Sequence, residues 1–92
     1  MLFWLSFVDN DMPAGARFLG VAIVDGDDAI DAVRESRLMG INPGGEVLIA
    51  SVPEALIPRN FWNRLLNRQE AQRLSDATDS KLRGAVKDSS NG

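Results

Sequence analysis

The chain has 92 residues, 13 acidic and 10 basic side chains, a formal net charge of −3 and a hydrophobic fraction of 45%. It contains no Cys, no His and no Tyr. These counts exclude disulfides, thiol nucleophiles, the common zinc sites and every His-based triad, and the length suits one compact domain.

Residues 1–9 read Met-Leu-Phe-Trp-Leu-Ser-Phe-Val-Asp. A secretory signal needs a basic start, a longer apolar run and small residues before a cleavage site. No Lys or Arg precedes Arg17. No apolar run approaches the roughly 18 residues of a membrane span. A soluble, cytoplasmic protein is expected, with no membrane contact and no cofactor.

Leu2–Val8 is short and rich in aromatic residues, which predicts a strand. Asp9–Ala16 carries Asn, Asp, Pro and Gly and reads as a loop. Arg17–Val24 is a second strand, with an isolated Gly20 that marks a bulge or a close approach of backbone. Asp27 is placed to cap a following helix, and Asp28 and Asp31 suit its positive end. Ala29, Ile30, Ala32, Val33, Ser36 and Met39 share about half of the helical wheel. Gly40 is a left-handed stop. Ile41–Gly45 is a turn, Glu46–Val52 a third strand ended by Pro53, and Glu54–Ile57 a short turn.

Phe61, Trp62, Leu65 and Leu66 follow Pro58 at helical spacing, so this segment is expected to be helical. The periodicity fails beyond Leu66. Asn67 and Glu70 have the spacing of a capping box, which predicts a break near Asn67 and a new helix from Arg68. That helix would put Ala71, Leu74 and Ala77 on one face. An unbroken helix is the alternative. Residues 1–78 are read as one domain, and residues 79–92 as a polar, mobile tail.

The fold class expected is α+β, in the order β-β-α-β-α. A three-stranded, mainly antiparallel sheet of order 2-1-3 carries one amphipathic helix on one face, with helical segments at the C-terminus. Phe3, Leu5 and Phe7 oppose Trp4, Ser6 and Val8 across the first strand. In the second, Leu19, Val21 and Ile23 oppose Phe18, Gly20, Ala22 and Val24. Both sheet faces are apolar, whereas a solvated face would alternate with polar residues. One helix covers one face. The other must be covered by the Phe61–Leu66 segment, by a second copy or by a different protein.

Few residues suggest chemistry. Asn42-Pro43-Gly44-Gly45, with Glu46 beside it, is a weak candidate for an anion- or ligand-binding turn, because successive glycines let backbone amides approach an anion. It follows a helix and opens a strand, the reverse of the familiar phosphate loops. The aspartates at 9, 11, 25, 27 and 28 miss the calcium-loop pattern and suit caps and loops. No catalytic residue, metal site or enzyme activity is expected.

Charge is uneven. Residues 1–57 hold nine acids and three bases, and residues 58–92 four acids and seven bases. Phe61, Trp62, Arg64, Leu65 and Arg68 are the candidate partner-binding residues, because aromatic residues and arginine are enriched at interface hot spots. The expected function is a non-catalytic protein-interaction module that can self-associate as a homodimer. The alternative is a nucleic-acid-associated regulator using the basic C-terminal part.

Overall fold

The computed structural model describes the backbone of residues 1–91 and the side chains of residues 1–79. The elements are β1 (Leu2–Val8), β2 (Phe18–Asp25), α1 (Ala29–Leu38), β3 (Glu46–Val52), two 3-10 turns (Glu54–Leu56 and Arg59–Phe61), β4 (Leu65–Leu66) and α2 (Arg68–Asn91). The class is α+β, with one antiparallel sheet and two helices.

The sheet has four strands, in the order β3-β1-β2-β4. The expected order of the first three strands is present. The fourth strand is a correction to the three-stranded expectation. Val21 pairs with Leu66 and Ala22 with Leu65. The segment read as helical is therefore not an α-helix. It is a 3-10 turn, a residue with left-handed backbone at Asn63 (φ 60°) and the two residues of β4. Pro58 explains part of the misreading. Its backbone is extended (φ −58°, ψ 140°), and it opens a 3-10 turn instead of an α-helix.

β1 pairs with β2 on one side and β3 on the other. The pairing with β2 shifts where Phe7 faces Gly20 and Val8 faces Phe18. That skip is a bulge at Leu19. A bulge resets the two-residue alternation of side chains. Phe18 consequently packs with Val21 and Ile23, and Leu19 with Ala22 and Val24. This inverts the facing expected for residues 18 and 19. Gly20 sits beside the bulge with φ 147°, and a side chain there would meet Leu65.

Two cores flank the sheet. One holds Phe3, Leu5, Phe7, Ala22, Val24 and Ala32, under α1. The other holds Leu2, Val21, Ile23, Ile57, Leu66, Ala71 and Leu74, under the C-terminal segment and α2. The second face is thus covered by this chain's own residues. The turn residues Ile57, Phe61 and Trp62 are drawn down onto it together with α2.

α1 packs with small residues. Ala32 and Ser36 are fully buried, whereas Ile30, Leu38 and Met39 point outward. This corrects the apolar stripe expected of Ile30 and Met39. The buried Ser36 hydroxyl donates to the Val33 carbonyl at 2.6 Å and accepts from Asn42 Nδ2 at 3.1 Å, which meets the requirement that buried polar groups be paired. The N-cap is Asp28, one residue later than expected. Its carboxylate accepts from the Asp31 amide at 2.7 Å. Gly40 (φ 72°) closes the helix as expected.

α2 starts where the capping box predicts. The Glu70 amide donates to Asn67 Oδ1 at 2.9 Å, and the Asn67 amide donates to Glu70 Oε1 at 3.3 Å. Ala71 and Leu74 are buried, but Ala77 is exposed. Residues 80–92, which make up most of the segment read as a mobile tail, lie outside the described side chains.

Gly45 (φ 74°) joins the turn to β3, and a Cβ there would run into the Val8 carbonyl and approach Leu19 Cδ1 at 3.0 Å. Gly44 (φ 90°) has nothing within 4 Å. Left-handed backbone costs an L-residue roughly 1–2 kcal/mol. Gly44→Ala is therefore expected to cost about that much, and Gly45→Ala clearly more, because the clash adds to the strain. Thermal unfolding of the two variants checks this ordering.

Candidate functional site

The covering layers do not span the sheet. α1 packs against β1 and β2, and α2 against β2 and β4. Among the described residues, β3 is covered less than its neighbours. Only Val47 and Val52 in it are half-buried, and the other five residues are exposed. Leu48 retains 67% of its accessible surface and Ile49 39%. A seven-residue strand with the apolar run Val47–Ala50, largely exposed on both faces and along one edge, is an unusual surface for a folded domain, since edges are normally blunted by charge, Pro or a bulge.

The direction of its backbone groups follows from β1. The Met1 carbonyl accepts from the Gly26 amide at 2.9 Å, and the Asp9 amide donates to the Arg17 carbonyl at 2.8 Å. Odd-numbered residues of β1 therefore bond to β2. Even-numbered ones bond to β3, because backbone groups alternate sides along a strand. Leu2, Trp4, Ser6 and Val8 face Val52, Ala50, Leu48 and Glu46. These even-numbered residues of β3 spend their N–H and C=O on β1. Val47, Ile49 and Ser51 aim theirs outward, at the free edge.

The side chains alternate as well. Leu48, Ala50 and Val52 lie on the α2 face of the sheet, and Val47, Ile49 and Ser51 on the α1 face. On the α2 face Trp4 divides two shallow clefts. One, of about 310 Å³, is lined by Trp4, Ser6, Phe18, Arg68, Gln72 and Ser75 among others. The other, of about 280 Å³, runs between β3 and α2 and is lined by Trp4, Ala50, Val52, Ser75, Thr78 and Asp79. The Thr78 hydroxyl has no hydrogen-bond partner among the described residues.

The residues singled out in the sequence fall into two separate places. Asn42, Gly44, Gly45 and Glu46 form the turn before β3. Asn42 Oδ1 accepts from the Gly44 amide at 2.8 Å, and Glu46 accepts from Asn10 Nδ2 at 2.6 Å. The turn's polar groups are engaged with one another and with the neighbouring loop. Among the described residues, no group of three Asp or Glu side chains could hold a metal ion. No helix of the described residues is long and apolar enough to cross a membrane.

Phe61, Trp62, Arg64, Leu65 and Arg68 lie at the opposite edge of the sheet, around β4. Phe61 and Trp62 are half-buried against the core, and Trp62 Nε1 donates to the Ile57 carbonyl at 3.1 Å. Arg59 sits 4.8 Å from the centroid of the Trp62 ring, Arg64 5.5 Å from that of Phe61, and Arg68 5.3 Å from that of Phe18. Arg64 also pairs with Glu70 at 2.7 Å. The β3 edge was not among the sequence candidates. Its only signal was the apolar run Val47–Ala50, within a strand bounded by Gly45 and Pro53.

The Arg64 guanidinium and the Asn67 amide both stabilise the Glu70 carboxylate and hold its pKa below the ordinary range. A lowered folded-state pKa gives stability that is present above the unfolded value and is lost as pH falls through the folded one. Compared with family models, curated proteins and solved structures, the chain finds no match.

Two stability predictions follow from this corner. Asn67→Ala should cost about 1 kcal/mol through loss of the cap. Glu70→Gln should be less stable than the parent at neutral pH, and the difference should shrink as the pH falls through the folded-state pKa of Glu70, which lies below the ordinary carboxylate value. Chemical denaturation across that pH range checks both.

Proposed function

We propose that this protein is a non-catalytic interaction module that docks an extended chain along the free edge of β3. The observation that carries this reading is the β3 edge itself. Three residues offer outward N–H and C=O groups, and Leu48 and Ile49 stand exposed on either face. Strand addition uses these two elements: main-chain hydrogen bonds supply affinity, and alternate side chains supply selectivity. The clefts flanking Trp4 lie on the same sheet face as Leu48 and Ala50, within reach of a docked chain's side chains. A cytoplasmic setting goes with this reading, since a cysteine-free chain gains nothing from an oxidising compartment.

The nucleic-acid alternative draws on the seven bases of residues 58–92. Three of these arginines lie over the domain's own rings, and the chain as a whole is acidic, so the observations favour the β3 edge.

Proline substitution separates the two sides of the strand. Ser51→Pro removes an outward N–H, which an edge strand tolerates, and should leave stability within about 1 kcal/mol of the parent. Ala50→Pro removes an N–H that serves the β1 ladder and strands a carbonyl of Trp4, at a cost of about 1–3 kcal/mol. Displayed nine-residue peptides, selected on the parent, should lose binding to the folded Ser51→Pro variant. Selected peptides that bind this variant as well as the parent would contradict the reading.

A further inference from the structure

We infer that the chain docked on β3 is β3 of a second copy, paired antiparallel about a two-fold axis at Ile49. This rests on the strand-docking reading above and names its occupant. The free edge is its own complement. Ile49 lies midway between Gly45 and Pro53, which bound the strand. The outward-facing residues Val47, Ile49 and Ser51 are spaced evenly about it. Rotating the strand about Ile49 puts Val47 against Ser51 and Ile49 against itself, so each outward group meets a complementary one, with about six hydrogen bonds across the axis.

Neighbouring registers are poorer. An axis at Leu48 sets Ser51 opposite Gly45, whose backbone has left the strand conformation (φ 74°). An axis at Ala50 sets Val47 opposite Pro53, which has no N–H to give. Only the axis at Ile49 employs all three outward residues.

The side chains suit the same register. On the α2 face, Leu48 meets the small Ala50 of the other copy, twice by symmetry. On the α1 face, Ile49 meets Ile49. These contacts would cover the most exposed part of the strand. No charged residue lies between Val47 and Pro53. Glu46 falls opposite Val52 and Glu54 opposite Gly44, so no charge faces a like charge across the axis. Because α1 and α2 sit over β1, β2 and β4, their described residues leave the edge itself open.

The chain has no cysteine, so a single introduced thiol reads the register directly. A hydrogen-bonded antiparallel pair places Cα atoms about 5.5 Å apart, with Cβ atoms too widely spaced for an unstrained disulfide but within reach of a short bifunctional thiol cross-linker. The full chain is used throughout. With such a cross-linker Ile49→Cys should form a covalent dimer, about tenfold more than Val47→Cys or Ser51→Cys alone, because only position 49 faces itself in this register. A mixture of Val47→Cys and Ser51→Cys should cross-link to each other. Light scattering on the unmodified protein, which needs no variant, should approach twice the 10.0 kDa chain mass as concentration rises, and Ser51→Pro should hold it at one chain. Equal cross-linking of all three variants, a preference for Val47→Cys with itself, or a monomer at every concentration would overturn the inference. If the monomer still bound selected peptides at β3, only the identity of the occupant would fall. If it bound none, the strand-docking reading would fall with it.

Discussion

β1 is hydrogen-bonded along both edges and packed on both faces, and the rest of the domain is arranged by that fact. Leu2, Leu5 and Phe7 are almost completely removed from water. To achieve this in a chain of 92 residues, both helical layers are drawn toward β1 and β2. Small residues let α1 come close, with Ala32 against Gly26. On the other face, the bulge at Leu19 turns Phe18 toward Val21 and Ile23, and α2 closes over them with Ala71 and Leu74. A small domain has little covering material to distribute. Here most of it is spent on the middle of the sheet, and among the described residues β3 is covered only in part, at Val47 and Val52.

The exposure of β3 is therefore a consequence of how the core was built. Its hydrogen bonds to β1 hold it in place and its even-numbered residues complete the ladder. Its odd-numbered backbone groups, and side chains on both faces, remain open to solvent. The opposite edge of the sheet is treated differently. β4 pairs with β2 for only two residues, the 3-10 turns wrap round it, and Arg59, Arg64 and Arg68 spread their guanidinium groups over Trp62, Phe61 and Phe18. One edge of the sheet is closed by short, charged, cation–π-bearing structure, and the other is left long, with no charge from Val47 to Val52.

Much of this was legible from local chemistry. β1, β3 and the cap at Asn67 were readable because aromatic and β-branched runs, a terminating proline and a reciprocal Asn–Glu spacing act within a few residues. The order of the first three strands followed from the handedness of the β-α-β crossover. Phe61 to Leu66 misled because residues at helical spacing can also be returned to one sheet face by a tight turn, and only the pairing with Val21 and Ala22 decides between the two. The inversion of Phe18 and Leu19 required knowing on which side of Gly20 the bulge falls. The candidate surface was hidden for a related reason. An apolar run such as Val47 to Val52 reads as a buried strand, and whether it lies in the middle of a sheet or beyond its covers depends on where the two helices settle.

The central claim is that Val47, Ile49 and Ser51 present a free backbone edge that another strand completes. Residue-resolved amide hydrogen exchange tests it most directly. In dilute protein, the amides of Leu48, Ala50 and Val52 should exchange slowly, and those of Val47, Ile49 and Ser51 fast. When the edge is occupied, at high protein concentration or with a selected peptide, the second set should become slow while the first barely changes. Uniform protection along β3 in dilute monomer, or fast exchange at Val47, Ile49 and Ser51 under saturating conditions, would contradict the account.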